Sequence, residues 1–259
     1  MKKTILLSGL CTLFLLGCGS STYDRPRVIA VRSPSNTVTI QRAVAGRSIE
    51  NRLIEYTSLG DGDDVIFIMA TIHGNETAGT PLLQQLAAYL HDHPQILRGH
   101  KVILLPVANP DGVAHRRRTN ARGVDLNRNF PASNHRPGDR FGATPLSEPE
   151  SCLIDRLIKK YHPDRIVSLH QPLACIDYDG PARDLAYRMA DHCRLPIRKL
   201  GARNGSLGAY VGESLYIPIV TLELRRDDHR LSPAVLWQQY SKALLTAVVY
   251  PESLDETDL

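Results

Sequence analysis

The chain has 259 residues, 42% hydrophobic and 22% charged, with a formal net charge of +4 at pH 7. That usage excludes a wholly disordered or collagen-like chain and supplies enough apolar material for a sizeable core. No Lys/Arg block runs beyond Arg116-Arg117-Arg118, so the small positive charge gives no ground for nucleic acid as a partner.

The first 18 residues read as an address. Lys2 and Lys3 are followed by an apolar stretch of 13 residues, 5–17, too short to span a bilayer and suited to a signal-peptide core. It ends Leu15-Leu16-Gly17-Cys18, which resembles a bacterial lipobox, with 1–17 as signal peptide and Cys18 as the acylated residue. Residues 18–27, with Gly19-Ser20-Ser21-Thr22, then form a flexible tether, and 28–259 the folded domain. The resemblance implies a membrane anchor through Cys18 on the periplasmic face of the envelope, and Gly19 suits the outer membrane. An ordinary signal peptide or an N-terminal anchor helix is the plainer alternative. Past Cys18 three thiols remain, Cys152, Cys175 and Cys193, which allow one disulfide plus a free thiol or three buried thiols. No Cys-x-x-Cys pair suggests a cysteine metal site.

Residues 28–31 and 37–40 read as short strands. The continuous apolar run at 65–70 predicts a strand buried on both faces, and helical periodicity follows over 76–91. A second buried strand is expected at 101–107. Residues 108–147 lack periodicity and are rich in Asn, Arg, Pro and Gly; an irregular stretch that long is functional or conceals structure. Helix resumes at 148–161, then a strand at 165–170, a helix at 182–193, a strand at 217–224 and an amphipathic helix at 232–250. Alternating strands and helices without a linker predict one α/β domain with a largely parallel sheet covered on both faces.

In such sheets sites gather at the carboxyl ends of strands. His73 and Glu76 follow the first buried strand, His170 closes another, and Glu223 lies near the end of a third. On a helical first turn, positions i and i+3 share a face, so His73 and Glu76 could hold one ion, with His170 as a third ligand and a fourth position for water. The plainer reading has Glu76 capping a helix and His170 buried and hydrogen-bonded. Glu223 sits in an apolar strand, where an ionised carboxylate is costly unless paired or functional. Burial would raise its pKa toward the range of a general base, and a salt bridge to Arg225 or Arg226 is the structural alternative. The loop from 114 to 128 carries five arginines, suited either to an exposed basic surface or to gripping a carboxylate and an oxyanion.

His73-x-x-Glu76, Asn109-Pro110-Asp111-Gly112, residues 123–130 (Gly-Val-Asp-Leu-Asn-Arg-Asn-Phe), Ser168-Leu169-His170 and residues 221–225 (Thr-Leu-Glu-Leu-Arg) together resemble the zinc metallocarboxypeptidases, in family order. Residues 46–52 resemble the family's early strand-turn segment. The resemblance implies a carboxypeptidase-like α/β/α sandwich with a mixed, largely parallel sheet and one zinc ion per chain. It makes His73, Glu76 and His170 the zinc ligands, Glu223 the catalytic base and Arg118 the residue that holds the oxyanion. Asn127 and Arg128 would grip the substrate's free carboxylate, and Tyr210 would be the substrate-binding tyrosine or an aromatic pocket wall. Asn75 departs from the arginine that the digestive enzymes carry beside the zinc Glu.

Residues 146–150, 167–176 and 205–208 are further similar to the murein peptide amidase branch, although Gln171 stands where that branch suggests an acidic residue. That likeness implies a murein peptide substrate with a free carboxylate, cleaved between γ-D-Glu and diaminopimelate. The distal groups of diaminopimelate require polar pocket residues, for which Asp177, Arg203 and Asn204 are the candidates. A general metallocarboxypeptidase, an N-acyl amino acid deacylase of the succinylglutamate desuccinylase and aspartoacylase type, and a non-catalytic wall-binding lipoprotein are the rival readings.

Overall fold

A computed structural model describes residues 40–254. The expected signal segment, Cys18, the tether and the strand at 28–31 lie outside the described residues, as does all of 37–40 except Ile40.

Seven strands form one sheet: β1 (Ile40–Arg47), β2 (Leu53–Leu59), β3 (Asp64–Ala70), β4 (His100–Leu105), β5 (Arg165–His170), β6 (Leu173–Asp179) and β7 (Ile219–Arg225). Their order is β1-β2-β4-β3-β5-β7-β6. The pairings among β4, β3, β5 and β7 are parallel. Those joining β1 to β2, β2 to β4 and β6 to β7 are antiparallel, so the sheet is mixed and its parallel part is confined to the middle. The parallel strands are the continuous apolar runs, as burial on both faces demands.

Helices α1 (Gly79–Asp92), α4 (Arg183–Asp191) and α5 (Pro233–Val249) cover one face, burying Leu82, Leu86, Leu185, Leu236, Tyr240 and Leu244 against Ile68, Val167 and Leu222. The other face receives α3 (Pro149–Tyr161), through Leu153 and Leu157, together with Leu126, Phe130 and Tyr210. The architecture is the expected α/β/α sandwich. The short helix α2 (Pro110–Ala114) opens the long connection between β4 and α3, with the Asn109 side chain accepting from Gly112 N at its start. Pro106 ends β4 two residues before the expected boundary. Cys152, Cys175 and Cys193 are free thiols.

At the amino ends of the strands, buried Arg165 donates to both Asp64 oxygens at 2.6 and 2.7 Å and to the Ala247 and Val248 carbonyls that end α5. His100 Nδ1 lies 2.6 Å from Asp64 Oδ2, so one carboxylate ties β3, β4, β5 and α5 together. Burial alone would raise the Asp64 pKa, but Arg165 and then His100 outweigh it and hold it below the ordinary 3.8. A lowered carboxylate pKa contributes stability that is present above the unfolded value and lost as pH falls through the folded one. Asp64→Asn is therefore expected to cost about 2 kcal/mol at pH 7, less than a fully buried pair because Asp64 is partly exposed. The deficit should shrink in urea unfolding at pH 3, and an equal deficit at both pH values would rule out the ionic origin.

Candidate active site

β3 connects to β4 on one side of the sheet, while β5 pairs on the other. The carboxyl ends of β3 and β5 thus flank the topological switch point, where α/β sheets place their ligands. His73 and Glu76 come from the turn after β3, His170 ends β5, and Glu223 stands beside His170 in the register of β7. The first turn of α1 does not hold His73 and Glu76, as the periodicity suggests. The helix begins at Gly79, and the segment before it is a turn closed by Glu76 N donating to His73 O at 3.0 Å. Gly74 lets this turn lie against α2, since a Cβ there would come 2.0 Å from the Gly112 carbonyl carbon.

His73, Glu76 and His170 are all buried, with their ligand atoms converging. Glu76 Oε2 is 2.9 Å from His73 Nδ1 and 3.0 Å from His170 Nδ1, and the two nitrogens are 3.2 Å apart. Ligand atoms on a tetrahedral zinc at about 2.0–2.1 Å lie ~3.3 Å from one another, so the separations fit such an ion. The donor chemistry fits as well. Two imidazole nitrogens aimed at each other and at one carboxylate oxygen form a set that a cation reconciles. Burial depresses the His73 pKa, but Asp125 and Glu76 outweigh it and raise it, so the site favours added positive charge. Glu76 is likewise held well below the usual carboxylate range: its burial is outweighed by His170 and His73.

The set is braced from outside. His73 Nε2 meets Asp125 Oδ1 at 3.0 Å, which fixes the ring and leaves Nδ1 facing inward. Gln171 N donates to Glu76 Oε2 at 3.1 Å. Its side chain joins Ala78 N to the Arg225 and Arg226 carbonyls, stitching the ends of three elements together. Neither role was legible in the sequence, although Asp125 stands in the Asp-Leu-Asn-Arg motif.

A cavity of about 310 Å³ opens on these residues, lined also by Arg118, Asn127, Arg128, Asp177, Arg203, Thr221 and Glu223. Arg118 donates through Nε to Asp125 Oδ2 and through Nη1 to Glu76 Oε1, each at 2.9 Å, which holds its guanidinium at the metal set. Asn127 Oδ1 accepts from Leu207 N at 2.8 Å, so its amide nitrogen remains as a donor. Arg128 donates to the Asn127 carbonyl and, among the described residues, ion-pairs with no carboxylate. Glu223 accepts from Leu173 N at 3.3 Å, and burial raises its pKa. Neither expected arginine pairs with it, and Arg225 instead donates to Tyr240 Oη and to Arg194 O. A second cavity of about 450 Å³, lined by His192, Cys193, Arg194 and Arg225, shares no lining residue with this one.

Residues 30–179 match the zinc carboxypeptidase (peptidase M14) family. The chain belongs to this family. Murein peptide amidase A of Escherichia coli K12 is 32% identical over 220 residues, spanning 78% of this chain and 86% of that protein. Its counterpart in Vibrio campbellii is 34% identical over 175 residues, 61% of this chain and 68% of that protein. The crystal structure of a murein-tripeptide amidase from Escherichia coli O157 superposes with a TM-score of 0.64 at 25% identity, covering 83% of this chain and 93% of that one. As a zinc carboxypeptidase family member the chain is a hydrolytic enzyme whose metal is zinc.

One residue carried over from the zinc carboxypeptidases is not brought to the cavity. Tyr210 lies in a π-helical turn (Ala209–Ser214), stacks on Phe130 and donates to Asp155 Oδ1 at 2.7 Å. A hydroxyl committed to a buried carboxylate and a ring packed in the core belong to the sandwich rather than to the substrate site. Asn204 does not line the cavity either, whereas Asp177 and Arg203 do.

Proposed function

We propose that this zinc metallopeptidase hydrolyses murein peptides at the γ-D-Glu–diaminopimelate amide, releasing a residue with a free carboxylate. The observation that carries the reading is the juxtaposition in one cavity of the metal set, the buried carboxylate Glu223 and the uncompensated guanidinium Arg128. The relatives named for this substrate and the export reading of residues 1–18 support it.

His73, Glu76 and His170 would hold zinc, which supplies a Lewis acid and lowers the pKa of water toward 7. Arg128 and the Asn127 amide nitrogen receive the carboxylate of the residue to be released, and so orient the scissile amide. Glu223 accepts a proton from the attacking water and gives it to the leaving amine. Burial raises its proton affinity above that of an exposed carboxylate, the direction that a proton acceptor needs. Arg118 has Nε and Nη1 occupied, and among the described residues Nη2 makes no hydrogen bond, so it is left as a donor to the developing oxyanion. Mass spectrometry of L-Ala-γ-D-Glu-meso-diaminopimelate incubated with the enzyme should show free diaminopimelate. A chelator should abolish its release, and added zinc restore it. Cleavage of acyl-amino acids with the peptide left intact would overturn the reading in favour of a deacylase.

A further inference from the structure

We propose that Asp177 is a specificity-determining residue, whose carboxylate receives an ammonium group at the far end of the released residue's side chain. This rests on the reading of the site as an amide hydrolase that holds the released residue by its carboxylate.

The register places Asp177 relative to the base. Across β5, β7 and β6, His170, Glu223 and Cys175 stand side by side, and so do Ser168, Thr221 and Asp177 two residues along. Alternate residues of a strand share a face, about 6.6 Å apart. The second row therefore lies on the same face as Glu223, one step deeper into the sheet. Further along that face Phe67, Met69, Ile166 and Ile219 are buried apolar residues, with Asp179 beside Ile219 at its edge. This row instead presents two hydroxyls and a carboxylate, and the Ser168 hydroxyl is buried without a partner.

Within the cavity Asp177, like the base Glu223, is a carboxylate that forms no ion pair among the described residues. It is 6% exposed, and its Oδ1 accepts from Leu200 N at 2.9 Å. Among the described residues no Lys, Arg or His ion-pairs with it. Its neighbour Asp179 is bridged by Lys199 Nζ at 2.8 Å and closed off by Gly208, where a Cβ would lie 2.2 Å from Oδ2. Burial, and then the charge of Asp179, raise the proton affinity of Asp177. A buried carboxylate of this kind is stabilised by an arriving cation. The same cavity holds the reverse case in Arg128, a cation without an anion. A substrate residue with a carboxylate at one end and an ammonium at the other satisfies both, which is the chemistry of a diamino acid.

The test compares wild type and Asp177→Asn on two peptides, L-Ala-γ-D-Glu-meso-diaminopimelate and the same peptide ending in 2-aminopimelate, which lacks only the distal amine. Asn keeps the acceptor for Leu200 N. In wild type kcat/KM should favour the amine-bearing peptide by at least about 100-fold. In Asp177→Asn that ratio should collapse to within about threefold, through loss on the diaminopimelate peptide alone. A variant that keeps the preference, or loses both peptides equally with zinc still bound, overturns the proposal. Wild type cleaving both peptides equally overturns it too and leaves the functional reading standing. Wild type cleaving neither overturns the functional reading and this proposal with it.

Discussion

Replacing Glu223 by Gln is expected to lower kcat by about 10³–10⁴-fold while zinc stays bound. Glu223 stands beside His170 in the sheet but outside the converging set of His73, Glu76 and His170, so its loss removes no ligand. Gln is nearly isosteric and can still accept from Leu173 N, the hydrogen bond Glu223 makes among the described residues. What it cannot do is take a proton from water and return it to the leaving amine. The pH profile gives a second handle. Burial raises the Glu223 pKa above the ordinary 4.5, with Glu76 adding to the rise and His170 opposing it. As a base it must be ionised, so wild-type kcat/KM should fall as pH drops through that raised value. The residual activity of the variant should lack this acid limb. Metal content and kcat measured on the same sample decide the matter, and a variant turning over at the wild-type rate would remove Glu223 from the mechanism.

How much of this was legible in the sequence depends on whether a feature is periodic. The apolar runs of β3 and β5 announce themselves because both faces of those strands are buried. β2 alternates buried Ile54 and Tyr56 with Glu55 and Thr57, a pattern too short and too polar to stand out. β6 escapes notice because its cavity-facing positions are Asp177 and Asp179, so function breaks the very pattern that marks a strand. The connection from 108 to 147 has no period at all. Its order comes from single hydrogen bonds over long separations, such as Ser48 Oγ to Asp111 Oδ1 at 2.6 Å and Asn120 Nδ2 to Glu148 Oε2 at 2.8 Å. Of the site, the residues at strand ends were readable from position and chemistry. The roles of Asp125 and Gln171 were not, because each acts by holding another side chain, and standing in or beside a motif does not say which group a residue holds. Tyr210 shows the opposite failure: a motif supplied the residue, and packing against Phe130 and Asp155 sent it into the core.

Glu76→Gln is expected to abolish hydrolysis by a different route, through loss of the metal. In the proposed ligand set Glu76 supplies the negative charge, and its Oε2 is the atom toward which both imidazoles turn. Gln preserves the volume but puts a neutral amide between two nitrogens that need a cation between them. Its NH2 group also faces donors, since Arg118 Nη1 and Gln171 N both donate to this carboxylate. Whichever way the amide turns, one of those donors loses its acceptor. Substitutions behind a ligand cost 10–100-fold in metal affinity, so loss of the charged ligand itself should cost more than about 100-fold. After dialysis the variant should carry no stoichiometric zinc and no activity, and excess zinc should restore only part of the rate. The strands that position the site do not depend on Glu76, so cooperative unfolding should persist. The two carboxylates are thereby separated by one pair of measurements: Glu223→Gln keeps zinc and loses turnover, whereas Glu76→Gln loses both. If Glu76→Gln bound zinc as tightly as wild type, the metal would have to sit on other residues, and the assignment of His73 and His170 would fall with it.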